Sequence, residues 1–175
     1  MPKIISKLFQ PTTFILIGVF ARILPHPANF APIAAMALFS GTYMSKKQAM
    51  VIPLAAMVIS DLFIGFDSLP MRLSVYGSFL IMILIGFWLK KHKNIKTVVV
   101  ATLFSSVLFF VITNFSVWVF GTMYPKTVSG LAECYLLAIP FFRNTILGDT
   151  IYSGLFFGGY EFVNNLKIVF KGSWV

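Results

Sequence analysis

The chain has 175 residues, 58% of them hydrophobic and only 11% charged, with a formal net charge of +9. Soluble domains average about 25% charged residues, so this composition excludes a soluble enzyme, a disordered chain and a disulfide-built secreted domain. The 20 Phe and the long apolar runs, with a mean hydropathy of +0.89, predict instead an all-α integral membrane protein. A single membrane domain over 1–175 has room for about six spans of roughly 20 residues in one compact bundle.

Residues 1–11 are a short basic, amphipathic lead, and 12–24 form the first apolar run. Pro25-His26-Pro27 breaks it, because proline lacks a donor and restricts its predecessor. The second run, 30–44, is closed by Lys46 and Lys47. The third, 48–66, carries Pro53 as a kink; the fourth is 72–89, followed by the basic cluster KKHKNIK. The fifth, 97–120, is the clearest span. The stretch 131–165 is too long for one helix, and Pro140 is expected to divide it into an interfacial or re-entrant piece (131–139) and a sixth span (143–165). At 1.5 Å per residue the first two runs reach only about 20–22 Å, so they read either as short spans or as a re-entrant hairpin.

Lys and Arg set orientation. Lys3, Lys7, Lys46, Lys47, Lys90, Lys91, Lys93, Lys96, Lys167 and Lys171 all fall on one side of a six-crossing chain. Arg22, Arg72, Lys126 and Arg143 fall on the other, mixed with Asp67 and Glu133. This bias predicts a multi-pass protein of the cytoplasmic membrane with both termini inside. It also explains the net charge without a nucleic-acid partner, whose groove-reading motifs are absent.

Orientation assigns depth. Run three travels outward, placing Asp61 about 20 Å along it. Arg22 ends run one and is followed by His26 and Asn29; Asn114 and Trp118 lie near the outer end of run five. Arg143 and Asn144 open run six, with Asp149 about two turns deeper, and Glu133 and Tyr135 lie just before it. Ionisable groups within spans are costly and face a cavity or a partner. Their convergence at one depth predicts a ligand pocket open to the outside, roofed by the 25–30, 67–71 and 121–142 connections. For each single charge the competing reading is an interhelical ion pair. Trp118, Tyr124 and Tyr135 suit stacking on a flat ligand or an interfacial aromatic belt. Ala31, Ala34, Ala35, Ala37 and Gly41 permit close helix contact, within the bundle or with another subunit.

No catalytic arrangement stands out: Ser60-Asp61 is a neighbour pair, and neither a Gly-x-Ser-x-Gly nor a His-Glu-x-x-His motif occurs. His26 and His92 lie on opposite sides, and Cys134 is the single cysteine, so no metal site and no cofactor is expected. No phosphate-binding loop occurs, so energy for uptake would come from an ion gradient or from partner subunits.

The succession of Arg22, PHPANF and APIAAMALFSGTYMSKKQAMVIPLAAMVISDLFIG resembles the substrate-binding subunits of energy-coupling-factor vitamin transporters. Those six-helix proteins often show a small-residue second helix, a short turn and a third helix ending near Ser-Asp-Leu-x-x-Gly, here Ser60, Asp61, Leu62 and Gly65. The motifs RILPHPANFAPIAAMALF, TNFSVWVF and GLAECYLLAIPFF more closely resemble an uncharacterised bacterial membrane family thought to share that architecture. The resemblance implies an outer ligand pocket and docking onto a membrane coupling subunit with ATPases. Run one carries Gly18 and Ala21 where those transporters carry an Ala-x-x-x-Ala contact pattern. The rod-shape scaffold protein of cell-wall synthesis shares the six-helix plan. The leading expectation is therefore a non-enzymatic protein that captures a small amphipathic or zwitterionic molecule for uptake. The alternatives are a scaffold for other membrane proteins and a small membrane enzyme using Asp61, Asp149 or Glu133.

Overall fold

The computed structural model describes residues 10–172, with side chains described through residue 165. Lys3 and Lys7, and the side chains of Lys167 and Lys171, lie outside that range. Among the described residues all regular structure is helical. The elements are α1 (Pro11–Ile23), α2 (Ile33–Tyr43), α3 (Lys46–Ile64), α4 (Leu69–His92), α5 (Ile95–Phe120), α6 (Val128–Ser153), a π-helical turn (Gly154–Gly158) and α7 (Gly159–Gly172). Helices α3, α4 and α5 are long and apolar enough to cross a membrane, and α1 and α2 are shorter apolar helices. This architecture fits a membrane protein.

Local chemistry sets the helix ends. Ser45 and Gln48 form a reciprocal capping box at the start of α3, and Asn94 and Thr97 form another at the start of α5. Each satisfies two amides that the first turn leaves without partners. Pro11 and Pro70 stand in the first turns of α1 and α4, where a missing N–H costs nothing. Gly65 ends α3 at φ 107°, a conformation that a side chain would strain.

Helix α2 is the axis of the bundle. Every residue from Ile33 to Thr42 is buried, and α2 packs against α1, α3, α4, α5, α6 and the π turn. Its small residues answer the question the sequence left open: Ala34, Ala35, Ala37 and Gly41 face neighbouring helices of the same chain. At Gly41 an added Cβ would sit 2.5 Å from the Ile83 carbonyl oxygen and 2.9 Å from the Gly86 Cα. That contact draws α4 against α2, and Thr42 Oγ1 donates to the Gly86 carbonyl across it at 3.2 Å. Gly18 does the same for α1, where a Cβ would lie 2.9 Å from Ala56 and from Met36. Below the small-residue contacts an aromatic cluster closes the core: Phe39 lies 5.1 Å from Phe14 and 5.4 Å from Phe157, ring centre to ring centre.

The last third of the chain departs from the expected division. Pro140 lies inside α6 without interrupting it. The proline removes its own bond to the preceding turn and crowds the carbonyl there, and contacts to α5 hold both flanks in line. Tyr135 Oη donates to the Val111 carbonyl at 2.8 Å, and the Phe110 and Phe142 rings stack at 4.4 Å. The irregularity comes instead at Gly154–Gly158, where the ladder widens to a π turn before α7.

The two ends of the bundle differ in chemistry. At the end that holds Lys46, Lys47, Lys90 and Lys91, Lys93 Nζ meets Glu161 at 2.5 Å and the Tyr43 hydroxyl at 3.0 Å. Burial alone would lower the Lys93 pKa, but the bonds its ammonium donates to Glu161 and Tyr43 outweigh it and hold the pKa above its ordinary value. The other end carries the candidate site, and Tyr76 there is about 25 Å from Lys93 along α4.

Candidate functional site

Arg22 sits in the last turn of α1 and Asp61 in the last turn of α3, because both helices run toward the same end of the bundle. Arg22 Nη1 is 2.6 Å from Asp61 Oδ1. The same nitrogen donates to Ser60 Oγ at 2.5 Å and to the Met57 carbonyl at 3.3 Å. Tyr76, on the facing turn of α4, donates its hydroxyl to Asp61 Oδ2 at 2.5 Å. The Asp61 carboxylate therefore ties three helices together, with a partner for each oxygen. Arg22 and Asp61 are mostly buried, their side chains retaining 19% and 9% of their surface. Such a pair holds geometry because each charge compensates the other's desolvation.

This cluster forms one wall of a cavity of about 460 Å³, within the size range of small-molecule sites. His26, Asn29, Gly65, Asp67 and Arg72 are also at its lining, and Met57, Val75, Phe79 and Phe109 supply apolar wall. Thr145 and Asp149 complete it from α6. Two local conformations shape the loops around it. Asn29 adopts φ 63°, a left-handed conformation that Asn tolerates better than most residues, and closes a turn in which the Phe30 amide donates to the Pro27 carbonyl. Gly148 lets that turn lie against α6, with the Phe30 Cα 3.3 Å from where a Cβ would stand.

The polar groups of the cavity differ in how they are engaged. Arg22 is committed to Asp61. Arg72 forms no ion pair among the described residues; its guanidinium lies 4.8 Å from the Phe66 ring centre. His26 is exposed and its Nδ1 lies 2.7 Å from the Leu24 carbonyl. Asp149 is 3% exposed and accepts one hydrogen bond, from Ser106 Oγ at 2.7 Å. Chemically, the arrangement presents a guanidinium suited to a carboxylate or phosphate, apolar walls, and a buried acid. Among the described residues no three His, Cys, Asp or Glu side chains form a metal-holding group.

Of the eleven residues singled out in the sequence, Arg22, His26, Asn29, Asp61 and Asp149 line this cavity. The other six do not. Asn114 bonds back to the Phe110 carbonyl within α5, and Trp118 Nε1 donates to the Pro125 carbonyl in the next loop. Tyr135 bridges α6 to α5, and Asn144 donates to the Ala28 carbonyl, bracing the turn beside the cavity. Glu133 and Arg143 are exposed on α6. Conversely, Asp67, Arg72, Tyr76 and Thr145 line the cavity without having been singled out. For α4 the signal was present: Arg72, Val75, Tyr76 and Phe79 recur at the spacing of one helix face.

The model of a family of unknown function, DUF6580, matches residues 3–170, and the chain belongs to that family. No curated protein and no solved structure matches it.

Proposed function

We propose that this member of the DUF6580 family is a multi-pass protein of the bacterial inner membrane that captures a small molecule from the outer side for uptake. Both termini are cytoplasmic in this reading. The observation that carries it is the cavity itself: a volume of about 460 Å³ with charged and apolar lining, at the end of the bundle away from the lysine-rich turns. The positive-inside bias makes the lysine end cytoplasmic, so the cavity end faces out.

The lining favours a small amphipathic or zwitterionic ligand. Arg72 is the natural partner of an anionic group, because its planar fork has no carboxylate of its own to satisfy. Val75, Phe79 and Phe109 would cover an apolar body. The Arg22–Asp61–Tyr76 cluster serves as a braced wall rather than a free binding pair. The likeness to energy-coupling-factor substrate subunits supports the same reading through its outer pocket and its Ser-Asp-Leu-x-x-Gly ending. Docking onto a coupling subunit with ATPases belongs to this proposal through that likeness alone, because Gly18 is already occupied by packing against Ala56 and Met36.

Native mass spectrometry of protein gently extracted from its own membrane tests the capture function. The expected result is a reproducible mass excess in the wild type that disappears in Arg72→Ala, with both proteins folded. A wild type free of small molecules but carrying stoichiometric protein partners would replace capture by a scaffold role.

A further inference from the structure

Beneath the cavity floor lies a group of buried oxygens that the capture reading does not use. On α5, Thr102, Ser105 and Ser106 are 3%, 0% and 0% exposed; on α6, Asp149 and Ser153 are each 3% exposed. The register of the two helices stacks four of them, Thr102 and Ser106 on α5 with Asp149 and Ser153 on α6. Ser106 Oγ is 2.7 Å from Asp149 Oδ2, which puts these two at one level. Thr102 is one turn before Ser106, and Ser153 is one turn after Asp149. The helices run in opposite directions through the bundle, so Thr102 and Ser153 share the next level inward, about 6 Å deeper.

These hydroxyls are unusual among those of the chain. Buried Ser and Thr on helices commonly donate to the carbonyl one turn back, as Thr42, Ser60, Ser78 and Thr145 do here. Thr102 Oγ1, Ser105 Oγ and Ser153 Oγ have no hydrogen-bond partner. Ser106 has a single proton and two acceptors in reach, the Thr102 carbonyl at 3.1 Å and Asp149. No Lys, Arg or His forms an ion pair with Asp149 among the described residues. The assembly is thus one carboxylate and several hydroxyl oxygens, short of both positive charge and bonding partners.

We infer that this is a binding site for a small monovalent cation, with Na⁺ as the occupant. Asp149 supplies the charge, and Ser106, Thr102 and Ser153 supply neutral oxygen ligands. Three guests are conceivable, and the chemistry separates them. A buried water would satisfy hydroxyls but leave the carboxylate charge uncompensated in a low-dielectric interior, which is costly. A proton on Asp149 would remove the charge but leave the hydroxyls without partners. A hard cation balances the carboxylate charge and also engages the lone pairs of the hydroxyl oxygens, because such ions gather several oxygen ligands. One carboxylate balances one positive charge; a divalent ion would call for more. Asp149 also lines the cavity, which gives the ion its entry route and places it in contact with whatever the cavity holds.

The test uses the purified full-length protein in detergent, with no small molecule added. Thermal unfolding is followed at constant ionic strength while NaCl replaces choline chloride, and separately while KCl does. A ligand that binds only the folded state raises the midpoint in a saturable way. The expected result is a saturable rise with Na⁺, a smaller one with K⁺, and an affinity for Na⁺ weakened at least tenfold (about the effect of losing a supporting ligand) in Thr102→Val. That variant keeps side-chain shape while removing the hydroxyl, so its midpoint in choline stays near the wild type. Asp149→Asn should abolish the Na⁺ response. Equal midpoints in Na⁺ and choline would overturn the site, as would an equal rise in Na⁺ and K⁺, or a Na⁺ response that survives in Asp149→Asn. Because the readout is the response to Na⁺ and its loss in Asp149→Asn, failure of the ion site and failure of capture are read in separate measurements.

Discussion

Asp61 is the residue on which the cavity end of the bundle converges, since each of its oxygens is claimed by a different helix. Removing it by Asp61→Ala leaves the mostly buried Arg22 beside Ser60 and the Met57 carbonyl without a counter-charge. Breaking one side of such a pair costs about 3 kcal/mol, so the thermal midpoint in detergent should fall clearly. Arg22→Met combined with Asp61→Leu removes both charges and should recover most of that loss. A double variant as unstable as Asp61→Ala would mean that the pair does more than compensate its own burial. Arg22, Asp61 and Asp149 were legible in the sequence because a charge inside an apolar run has few reasons to be there. Tyr76 was not, since a tyrosine in an apolar run is ordinary. Asn114, Trp118, Tyr135, Arg143 and Asn144 show the opposite limit. Counting residues along a helix gives height, and these residues have the right height. Only packing decides which way a face turns, and these faces turn to backbone carbonyls, to loops or away from the cavity.

Among the elements, α2 and α4 depend on a close backbone approach, and the dependence is testable on two glycines. A side chain at Gly41 meets the Ile83 carbonyl at 2.5 Å, so Gly41→Val must push the helices apart. Overpacking of this kind costs about 1–3 kcal/mol, and here it would also displace α4, which carries Arg72 and Tyr76 to the cavity. Gly77 lies on the same helix with nothing within 4 Å of its missing Cβ, so Gly77→Ala should be neutral or slightly stabilising. Comparing the two thermal midpoints separates contact from helix propensity. The small-residue stripe of α2 was legible in the sequence, but whether it faced inward or toward another subunit was not, because the same residues serve both uses. Pro140 shows the same dependence on context. A proline marks a break in an isolated helix, yet the α5 contacts on both sides keep α6 continuous. Pro140→Ala should therefore leave the midpoint unchanged or raise it. A marked loss would mean that the proline shapes α6 in a way its continuity hides.

At the scale of the molecule, the separation of the two ends makes orientation a chemical property of the chain. One end gathers Lys46, Lys47, Lys90, Lys91 and the Lys93–Glu161 pair; the other gathers the cavity, with Asp67 and Arg72 at its lining. The turns that join α2 to α3 and α4 to α5 lie at the lysine end, and the loop from α3 to α4 lies at the cavity end. Capture from outside requires that the lysine end be cytoplasmic, and single cysteines can read this directly. Cys134 is the only native thiol, and Cys134→Ser provides a blank background. In that background, Ser68→Cys places a thiol at an exposed position in the α3–α4 loop, and Lys91→Cys places one at an exposed position on the lysine end. A membrane-impermeant maleimide applied to intact cells should label Ser68→Cys and spare Lys91→Cys until the cells are permeabilised. The reverse pattern would put the cavity on the cytoplasmic side and recast it as a site for an internal molecule. The side of the membrane that the cavity faces therefore stands on one measurement that needs no knowledge of the ligand.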